Sequence, residues 1–454
     1  MSLYTSLCSG LLFPLHERLK HHDSVAVRKR LEAQERLSSD ALDQWRVQRL
    51  REFLVNVGER VPHYRDLFQS VGFHPERLSS LADLQALPLS DKATMRAAGE
   101  RLRAEGAINL SRYNTGGSSG EPLIFYIGKA RKSHDVGAKW RVTRWWGVDI
   151  GDPEIVVWGS PIELGTQDRV RMVRDTVLRT ELLPAFEMSE ANLDRFVATI
   201  RAKRPTMLFG YPSSLSLIAA HARKKGIRLD AQGIKVVFVT SERLYDEQRA
   251  TITQVFGARV ANGYGARDAG FIAHECPAGG MHVQAEDIIV EIVGPDGAVL
   301  PAGQAGEIVV THTATADFPF IRYRTGDVAV MSDETCSCGR TLPLLKEIQG
   351  RTTDFVVAAD GTIMHGLALI YTVRDVPGVE RFKIIQHSLD HTEVLLVTTP
   401  VFNDAGADRI VRDYKARLGA SVQVSLTRVD EIPREASGKF RYVVSKVQAG
   451  APHA

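Results

Sequence analysis

The sequence predicts an α/β protein with a large N-terminal domain and a small α+β domain at its C-terminal end. Three observations support this prediction: a length of 454 residues, apolar strand-like runs that alternate with amphipathic helices after residue 150, and closely spaced hairpin-like strands after residue 287. We assign residues 1–105 to a helical first part of the large domain, residues 106–350 to its sheet-containing core, and residues 351–454 to the small domain.

The first part of the chain has the periodicity of helices. Residues 38–58 place apolar side chains at helical spacing, Pro62 interrupts the pattern, and Ser90 is a candidate cap for a later helix. The partly apolar residues 3–15 follow no Lys or Arg and are too short to cross a bilayer, which favours a packed or surface-lying amphipathic helix over a signal peptide. No later run of about 18 apolar residues follows, so we expect no stable membrane span and a cytoplasmic location.

The middle of the chain alternates between buried strands and helices. An amphipathic helix over residues 213–225 separates the last two of three apolar runs, which predicts parallel-rich sheets with helices packed against them. After residue 287, two apolar runs flank an Asp296-Gly297 turn, which predicts an antiparallel, β-rich subdomain. The three apolar runs are residues 154–158, 206–209 and 234–240, and the two hairpin strands are residues 288–293 and 306–312.

Composition and charge exclude several classes of function. The chain is 44% hydrophobic and 24% charged, as ordinary globular proteins are. Its formal net charge of +3 is small for this length, so nucleic acid is not an expected partner. The four cysteines are too few for the disulfide framework of a protein this long.

The most informative segment of the first half is residues 114–122. Its three glycines permit close approach of the backbone to an anion, and its hydroxyl side chains add donors. Since it lacks the Gly-Lys-Ser ending of a Walker A loop, a P-loop NTPase is disfavoured, and a flexible surface loop is the alternative. The candidate phosphate-binding residues are Thr115, Gly116, Gly117, Ser118, Ser119 and Gly120.

Four further motifs follow this loop in order, at residues 262–268, 322–327, 350–354 and 437–439. Together with the loop, they resemble the adenylate-forming superfamily of acyl-CoA synthetases, luciferases and peptide-synthetase adenylation domains. Within it the chain resembles the phenylacetate–CoA ligase branch, closest to variants linked to capsule and exopolysaccharide loci. The resemblance implies a small mobile C-terminal lid domain and an enzyme that uses ATP to convert a carboxylic acid to acyl-AMP. Pyrophosphate release and transfer of the acyl group to coenzyme A would complete the reaction.

The resemblance also implies roles for individual residues. Asp268, where the family usually has a glutamate, would bind Mg²⁺, and Lys439 on the small domain would meet the carboxylate and the α-phosphate as the catalytic lysine. Asp327 would accept hydrogen bonds from the ribose hydroxyls, since a carboxylate can accept two. The remaining nucleotide-binding residues would be Asn262, Gly263, Tyr264 (stacked on adenine), Gly265 and Arg351.

Two departures from the family pattern matter: the first leaves the edge of the phosphate loop less cationic, and the second, at the hinge, concerns the acyl acceptor. Glu121 stands where many relatives have lysine, and Thr353 replaces the hinge aspartate common in CoA ligases. An adenylating transferase that passes the acyl group to an amine, a sugar or a carrier protein is therefore the alternative function. A non-catalytic nucleotide-binding scaffold is a third hypothesis.

The sequence also predicts a structural zinc site. His274, Cys276, Cys336 and Cys338 are residues of the types that zinc favours, and His282 is a competing ligand. Free thiols, whether buried or exposed, are the alternative interpretation.

The acid is expected to lie where parallel strands end, lined by Tyr211, Ser241 and Glu242. Three tryptophans, Trp145, Trp146 and Trp158, either line this pocket or belong to the core. Analogy with the family favours an aromatic acid as the small-molecule substrate, coenzyme A as its acceptor, and a homodimer as one possible assembly.

Overall fold

The computed structural model describes residues 2–115, 123–158, 169–185, 188–351, 355–360, 363–365, 367–433 and 441–447. The chain divides into a large unit, Met1–Thr325 with Ala329–Ile348, and a small unit, Gly326–Val328 with Gln349–Ala454. Among the described residues, no helix is both long enough and apolar enough to cross a bilayer.

The large unit begins with helices. The α-helices are α1 (Leu3–Leu7), α2 (Phe13–Leu19), α3 (Ser24–Gln34), α4 (Ser39–Arg60), α5 (Pro62–Val71) and α6 (Lys92–Ala98), with a π-helical turn at Cys8–Leu12 and 3₁₀ turns at Pro75–Arg77, Leu81–Ala86 and Gly99–Leu102. The helix predicted over residues 38–58 is α4. The Oγ of Ser38 caps α4 by accepting a hydrogen bond from the N–H of Ala41 at 3.2 Å.

The cap predicted for α6 is wrong by one residue. Asp91 caps α6, because its carboxylate accepts a hydrogen bond from the N–H of Thr94 at 2.8 Å. Ser90 instead donates its hydroxyl to the carbonyl of Ile321 at 2.8 Å. Both residue types are good caps, and the pairing of Ser90 with the chain near Ile321 decides between them.

One eleven-stranded sheet runs through the large unit. Its strands are β3 to β13, and a separate two-stranded hairpin, β1–β2, precedes them. In chain order the elements are β1 (Ser111–Asn114), β2 (Ile124–Ile127), α7 (Lys129–Trp145), β3 (Glu154–Trp158), α8 (Arg169–Val177), β4 (Thr180–Pro184), α9 (Glu190–Lys203), β5 (Met207–Gly210), α10 (Pro212–Lys224), β6 (Val236–Thr240), α11 (Asp246–Phe256), β7 (Arg259–Ala266), β8 (Gly270–Glu275), β9 (Met281–Val283), β10 (Ile288–Val293), β11 (Ala305–His312), β12 (Tyr323–Ser332) and β13 (Leu344–Arg351).

The sheet changes character at β7. Its order is β10-β11-β12-β13-β9-β8-β7-β6-β5-β3-β4. Strands β4, β3, β5, β6 and β7 are parallel, whereas β7–β8, β8–β9, β9–β13 and β10–β11 are antiparallel pairs. The prediction of parallel strands followed by an antiparallel hairpin is confirmed.

Helices pack against the parallel half of the sheet and bury an apolar core. Phe196 of α9, Leu215 of α10 and Phe256 of α11 are fully buried against Val157 of β3 and Val237 of β6. Strands buried in this way read as continuous apolar runs, which is why the sequence pattern located them.

The small unit has an α+β fold, as predicted. Its elements are β14 (Phe355–Val357), β15 (Ile363–His365), α12 (Leu367–Arg374), β16 (Val379–Ser388), β17 (His391–Thr398), α13 (Asp404–Leu418), β18 (Gln423–Arg428) and β19 (Val443–Ser445). A four-stranded sheet has the order β18-β17-β16-β19, with β16 and β17 antiparallel and the outer pairs parallel. Ile384, Ile410 and Tyr414 are fully buried within this unit.

A buried carboxylate joins the helical layer to the sheet. The side chain of Asp287, between β9 and β10, is fully buried and forms ion pairs with Arg30 of α3 and with Arg49 of α4, the latter at 3.2 Å. Nε2 of His134 on α7 lies 3.5 Å from the same carboxylate. Burial alone would raise the pKa of Asp287, but the charges of His134, Arg30 and Arg49 outweigh it and lower the pKa to about 2.

We expect Asp287→Asn to lower the free energy of unfolding of the large unit by about 3 kcal/mol at pH 7, because two guanidinium groups lose a buried counter-charge. The pKa is depressed in the folded state, so this stabilisation is complete above the unfolded pKa near 3.8 and is lost as the pH falls toward 2. The difference between the variant and the wild type should therefore shrink below about pH 4.

Urea unfolding, monitored by tryptophan fluorescence, measures this loss of stability, since all five tryptophans lie in the large unit. Asp43→Asn is the matched control, because Asp43 is 61% exposed in its ion pair with Arg46 and should change stability by less than about 1 kcal/mol. Equal effects of the two variants at pH 7 would contradict the role given to Asp287.

Candidate active site and metal centre

The carboxyl ends of three parallel strands meet at one edge of the sheet. Gly210 of β5 pairs with Val239 of β6, and Thr240 of β6 pairs with Gly263 of β7. The residues predicted to line the acid pocket follow these strands: Tyr211 after β5, and Ser241 and Glu242 after β6. The structure therefore places all three at the edge where ligands commonly bind in parallel sheets.

Local contacts shape this edge. The ring of Trp158, at the end of β3, stacks on Tyr211 with centroids 4.4 Å apart and an interplanar angle of 22°. The carboxylate of Glu242 accepts a hydrogen bond from the N–H of Ser213 in the first turn of α10, at 3.1 Å. Ser241 has a φ of 72°, a left-handed conformation that is rare for a residue other than glycine, asparagine or aspartate.

The predicted adenine-binding strand β7 is closely packed at its glycines. A Cβ on Gly263 would lie 2.8 Å from the ring of Phe238, and one on Gly265 would lie 2.3 Å from the carbonyl oxygen of Gly270. Neither position has room for a side chain. Tyr264, between them, is half-buried, and its hydroxyl lies 3.4 Å from Oγ1 of Thr325 on β12.

Asn262 begins this glycine-containing stretch, and an acidic residue of the next strand anchors its backbone. Its N–H donates to the carboxylate of Glu275 at 2.8 Å. Arg249 of α11 donates to both oxygens of the same carboxylate, at 3.1 and 2.9 Å. The ion pair thus fixes the strand on which Tyr264 lies.

Asp268 lies in the tight turn from β7 to β8, and both of its carboxylate oxygens are engaged. Oδ2 accepts a hydrogen bond from the hydroxyl of Tyr323 at 2.7 Å, and Oδ1 accepts one from the N–H of Ala269 at 3.1 Å. Arg131 of α7 donates to the carbonyl oxygens of Asp268 and Arg267, at 3.0 and 3.3 Å. The side chain is 6% exposed, so its orientation is set before any ligand binds.

Thr115 closes the base of the predicted phosphate-binding segment. Its N–H donates to the carbonyl of Leu123 at 3.0 Å, and its Oγ1 accepts from the N–H of Leu123 at 2.9 Å. Arg267 donates to the carbonyl of Asn114 at 3.4 Å, which brings the Asp268 turn next to this base. The five residues Gly116 to Gly120, predicted to hold phosphate, lie outside the described residues, as does Glu121.

The remaining predicted nucleotide contacts lie on two neighbouring strands. Asp327 is half-buried on β12, two residues beyond Thr325, and Arg351 ends β13, the next strand of the sheet. The catalytic residue predicted at Lys439 and the departure at Thr353 lie outside the described residues.

Three residues that build the site were not predicted from the sequence. Tyr323 and Arg131 hold the Asp268 turn. Arg322 is buried, makes two hydrogen bonds to Glu291 at 3.0 and 3.1 Å, and donates to the carbonyl of Leu87 at 2.6 Å. Both Arg322 and Tyr323 belong to the motif at residues 322–327, so the motif contains positioning residues as well as the carboxylate predicted to bind ribose.

A cluster of three cysteines and one histidine lies at the other end of β8. Cys276 follows β8, His282 lies on β9, and Cys336 and Cys338 lie between β12 and β13. Sγ of Cys276 and Sγ of Cys336 are 3.6 Å apart, and Sγ of Cys338 is 3.2 Å from Nε2 of His282. The four ligand atoms all lie within 4.8 Å of one another.

The prediction of His274 as the fourth member of this cluster is corrected. Its ring is buried against Phe238 and Phe271, with centroids 5.8 and 5.5 Å away, and its Nδ1 is 3.3 Å from the side-chain amide of Gln284. His282, the competing ligand, takes its place. Nδ1 of His282 lies 3.2 Å from the carbonyl of Leu342, an arrangement that leaves Nε2 facing the three sulfur atoms.

The donor set fits zinc in kind and in spacing. Three sulfur atoms and one imidazole nitrogen form the Cys₃His set of closed structural zinc sites. A Cβ on Gly280 would lie 2.7 Å from Sγ of Cys336, so the turn after Cys276 needs glycine there. Burial lowers the pKa of His282 to about 4, which keeps the imidazole neutral, as a ligand must be.

Two family models match the chain: the AMP-binding enzyme model over residues 182–317 and the CapK C-terminal domain model over residues 356–446. A phenylacetate-coenzyme A ligase of Thermus thermophilus is 25% identical over 446 residues, which cover 90% of this chain and 98% of that protein. Protein CapK of Staphylococcus aureus is 22% identical over 408 residues, which cover 88% of each chain. A crystal structure of 2-hydroxyisobutyryl-CoA ligase in the postadenylation state, in complex with R3-HIB-AMP, matches 91% of both chains with a TM-score of 0.74 and 21% identity.

The fold and the matched models define the class of protein as an AMP-binding enzyme. The matches support the adenylate-forming superfamily, and along most of its length the chain is similar to phenylacetate-coenzyme A ligases. The resemblance inferred from five ordered motifs is thereby confirmed.

Proposed function

We propose that the chain activates a carboxylic acid with ATP to acyl-AMP, releases pyrophosphate, and transfers the acyl group to coenzyme A. The observation that supports this most directly is the Asp268 turn, in which a pre-oriented carboxylate lies beside the closed base of the phosphate-loop segment. The likeness to phenylacetate-coenzyme A ligases supports the same reaction. Since ATP and coenzyme A are the co-substrates, we infer that the enzyme works in the cytoplasm.

The reaction depends on positioning and on the neutralisation of charge. The acid carboxylate attacks the α-phosphate in line while pyrophosphate leaves, and no covalent bond to the protein is needed. Mg²⁺ bound with the nucleotide would neutralise phosphate charge, and Asp268 is the residue we assign to hold it. A carboxylate has about four acceptor sites, so the hydrogen bonds from Tyr323 and Ala269 leave room for a cation.

We assign the nucleotide contacts to residues of β7 and of β12, two strands that are not neighbours in the sheet. Tyr264 offers a ring face to adenine, and Asp327 offers two oxygens to the ribose hydroxyls. Tyr323 acts through Asp268, whose carboxylate it orients, and we therefore assign it as a positioning residue. Lys439 would neutralise charge as it shifts between the acid and the α-phosphate.

We infer further that the acid is aromatic. Trp158 contacts both Tyr211 and Phe209, with ring centroids 4.4 and 5.8 Å away, and all three lie at the edge where β3 and β5 end. Tyr211 and Phe209 are buried, so the half-buried Trp158 is the ring of the three on which an aryl acid would stack, at a centroid distance of about 4.5–7 Å. Aryl acids should therefore be activated in preference to straight-chain acids of similar size.

Pyrophosphate release with a panel of aryl and alkyl acids, each with and without coenzyme A, tests the proposal. We expect release with at least one acid, and an acyl thioester when coenzyme A is added. ATP binding without pyrophosphate release for any acid would indicate a nucleotide-binding scaffold. Pyrophosphate release without thioester formation would indicate a different acceptor.

Asp268→Asn is expected to lower the rate of pyrophosphate release about 100-fold, because loss of one charge-stabilising group at a phosphoryl centre costs about that much. Tyr323→Phe removes the hydroxyl that orients Asp268, and should lower the rate by about tenfold and raise the Mg²⁺ concentration needed for half-maximal rate. Asp43→Asn, at an exposed carboxylate, is the control and should behave as the wild type. An unchanged Mg²⁺ requirement in Tyr323→Phe would contradict the positioning role.

We also propose that Cys276, His282, Cys336 and Cys338 bind a structural zinc ion. Four protein ligands leave no open position for a substrate or water, which is the pattern of a structural site. The ion would cross-link the β8–β9 hairpin to the segment that leads into β13.

A further inference from the structure

The outer face of the N-terminal helical segment is a row of leucines. Five of them recur at every fourth position, and their side chains are between 45% and 93% exposed. Isolated exposed leucines are common on proteins, but a continuous apolar row is not. The five residues, which we call the leucine row, are Leu3, Leu7, Leu11, Leu15 and Leu19.

The backbone is built to keep this row on one side. In an unbroken α-helix, every fourth residue drifts around the axis by about 40°, so five leucines would spiral away from a single face. The π-helical turn at Cys8–Leu12, closed by the hydrogen bond from the N–H of Phe13 to the carbonyl of Cys8, is wider and rotates the second half of the row back.

The opposite face of this segment already has its partners. Thr5 donates its hydroxyl to the carboxylate of Asp152 at 2.7 Å, and Phe13 packs edge-on against Trp140 with centroids 5.2 Å apart. Cys8 is fully buried. The helix is therefore held to the protein by its inner face, and the leucines on its outer face are not needed to dock it.

The apolar surface extends onto α8. The hydroxyl of Tyr4 donates to the carbonyl of Val177 at 2.7 Å, so the end of α8 lies against the N-terminal helix. Val173 and Val177 of α8 are 64% and 37% exposed. They add exposed apolar side chains on the helix that lies beside the leucine row.

The exposed charged side chains among residues 2–22 are cationic, and Asp175, the acidic residue between Val173 and Val177 on α8, is paired with Arg174. Arg18 and Lys20 are exposed at the end of α2, and the guanidinium of Arg179 lies 4.1 Å from the ring of Tyr4. The only carboxylate among residues 2–22 is that of Glu17, which is buried and hydrogen-bonded to Ser24. Each of the first three leucines follows a small exposed residue, Ser2, Ser6 or Gly10, which lets the leucine protrude.

We propose that the leucine row, with Val173 and Val177, binds the surface of an anionic lipid bilayer, with the helix lying in the plane of the headgroups. An amphipathic helix with apolar side chains on one face and cations beside them has the chemistry of such an interface. Negative headgroups complement Arg18, Lys20 and Arg179. A second copy of the chain would instead bring these like charges together, which disfavours self-association through this face.

Co-sedimentation of the full-length protein with vesicles tests the proposal. We expect at least about tenfold stronger binding to vesicles of phosphatidylcholine and phosphatidylglycerol in equal parts than to phosphatidylcholine alone, at low salt. A triple variant, Leu7→Ser with Leu11→Ser and Leu15→Ser, should lose about tenfold or more of the binding. Arg18→Gln with Lys20→Gln should reduce the preference for the anionic vesicles.

The matched control replaces exposed apolar side chains elsewhere, Ile108→Ser with Val401→Ser, which are 76% and 64% exposed, and should bind as the wild type does. Thermal unfolding and pyrophosphate release should be unchanged in the triple variant, since its leucines are exposed and outside the active site. Absence of wild-type binding to the anionic vesicles, or equal losses in the triple variant and the control, would overturn the proposal. So would a wild-type dimer that becomes a monomer in the triple variant by light scattering.

Discussion

Lys439→Ala is expected to keep ATP binding and to lose most adenylation, with pyrophosphate release falling by about 10²–10³-fold. This is the cost of removing one pre-oriented group that stabilises charge in the transition state. Binding is expected to survive because other residues are assigned to adenine, ribose and Mg²⁺: Tyr264 on β7, Asp327 on β12, and Asp268 in the turn between β7 and β8. Equilibrium binding of ATP and single-turnover pyrophosphate release measure the two effects separately.

A second lysine of the same unit provides the control. Lys415 is exposed on α13, so Lys415→Ala removes the same charge from the small unit without touching the residues assigned to the site. It should retain the wild-type rate. Near-normal pyrophosphate release by Lys439→Ala would show that this lysine is not catalytic. Loss of ATP binding would show that it also contributes to ATP binding in the ground state.

His282→Gln is expected to lower zinc affinity by more than about 100-fold, whereas His274→Gln should retain the ion. His282 belongs to the cluster with three cysteine sulfurs, while His274 lies under two phenylalanine rings with its Nδ1 next to Gln284. Loss of a direct ligand should cost more than the 10–100-fold typical of residues that only orient a ligand. Zinc content after gel filtration without chelator, measured by mass spectrometry, distinguishes the two variants.

Zinc binding should also stabilise the large unit. The four ligands come from three separate segments, which folding brings together. The ion therefore binds the folded state in preference to the unfolded state, and this preference adds to the free energy of unfolding. Chelation of the wild type should therefore lower its unfolding temperature, and chelation of His282→Gln should not. Wild-type protein purified without chelator and found free of zinc would contradict the site.

The parts of the fold that follow from local sequence were predictable. β3 matches the predicted run of residues 154–158, because a strand buried on both faces must be apolar along its length. The β10–β11 hairpin was located by its two flanking apolar runs and the Asp296-Gly297 turn, where Gly297 has a φ of 81°. These signals lie within a few residues of the structure they specify.

The parts of the site that depend on distant contacts were not predictable. His274 and His282 face each other directly across the β8–β9 pair, so the two imidazoles are neighbours, and only the position of the segment containing Cys338 decides which one meets the cluster. Nothing near Tyr323 in the sequence shows that its hydroxyl reaches Asp268, 55 residues earlier. The motifs predicted which types of residue belong to the site. Their contacts depend on how distant segments pack together.

The Asp268 turn has a consequence for how the enzyme becomes active during folding. Its two main supports, Arg131 and Tyr323, are 137 and 55 residues away in sequence. Contacts between segments this far apart form late, because the chain must pay the entropy of closing a long loop before they stabilise anything. The turn therefore takes its final shape only after α7 and β12 have both packed around it, and a fragment that lacks either element could not assemble it. Catalytic competence is in this sense a property of the completed domain and arrives at the end of its folding.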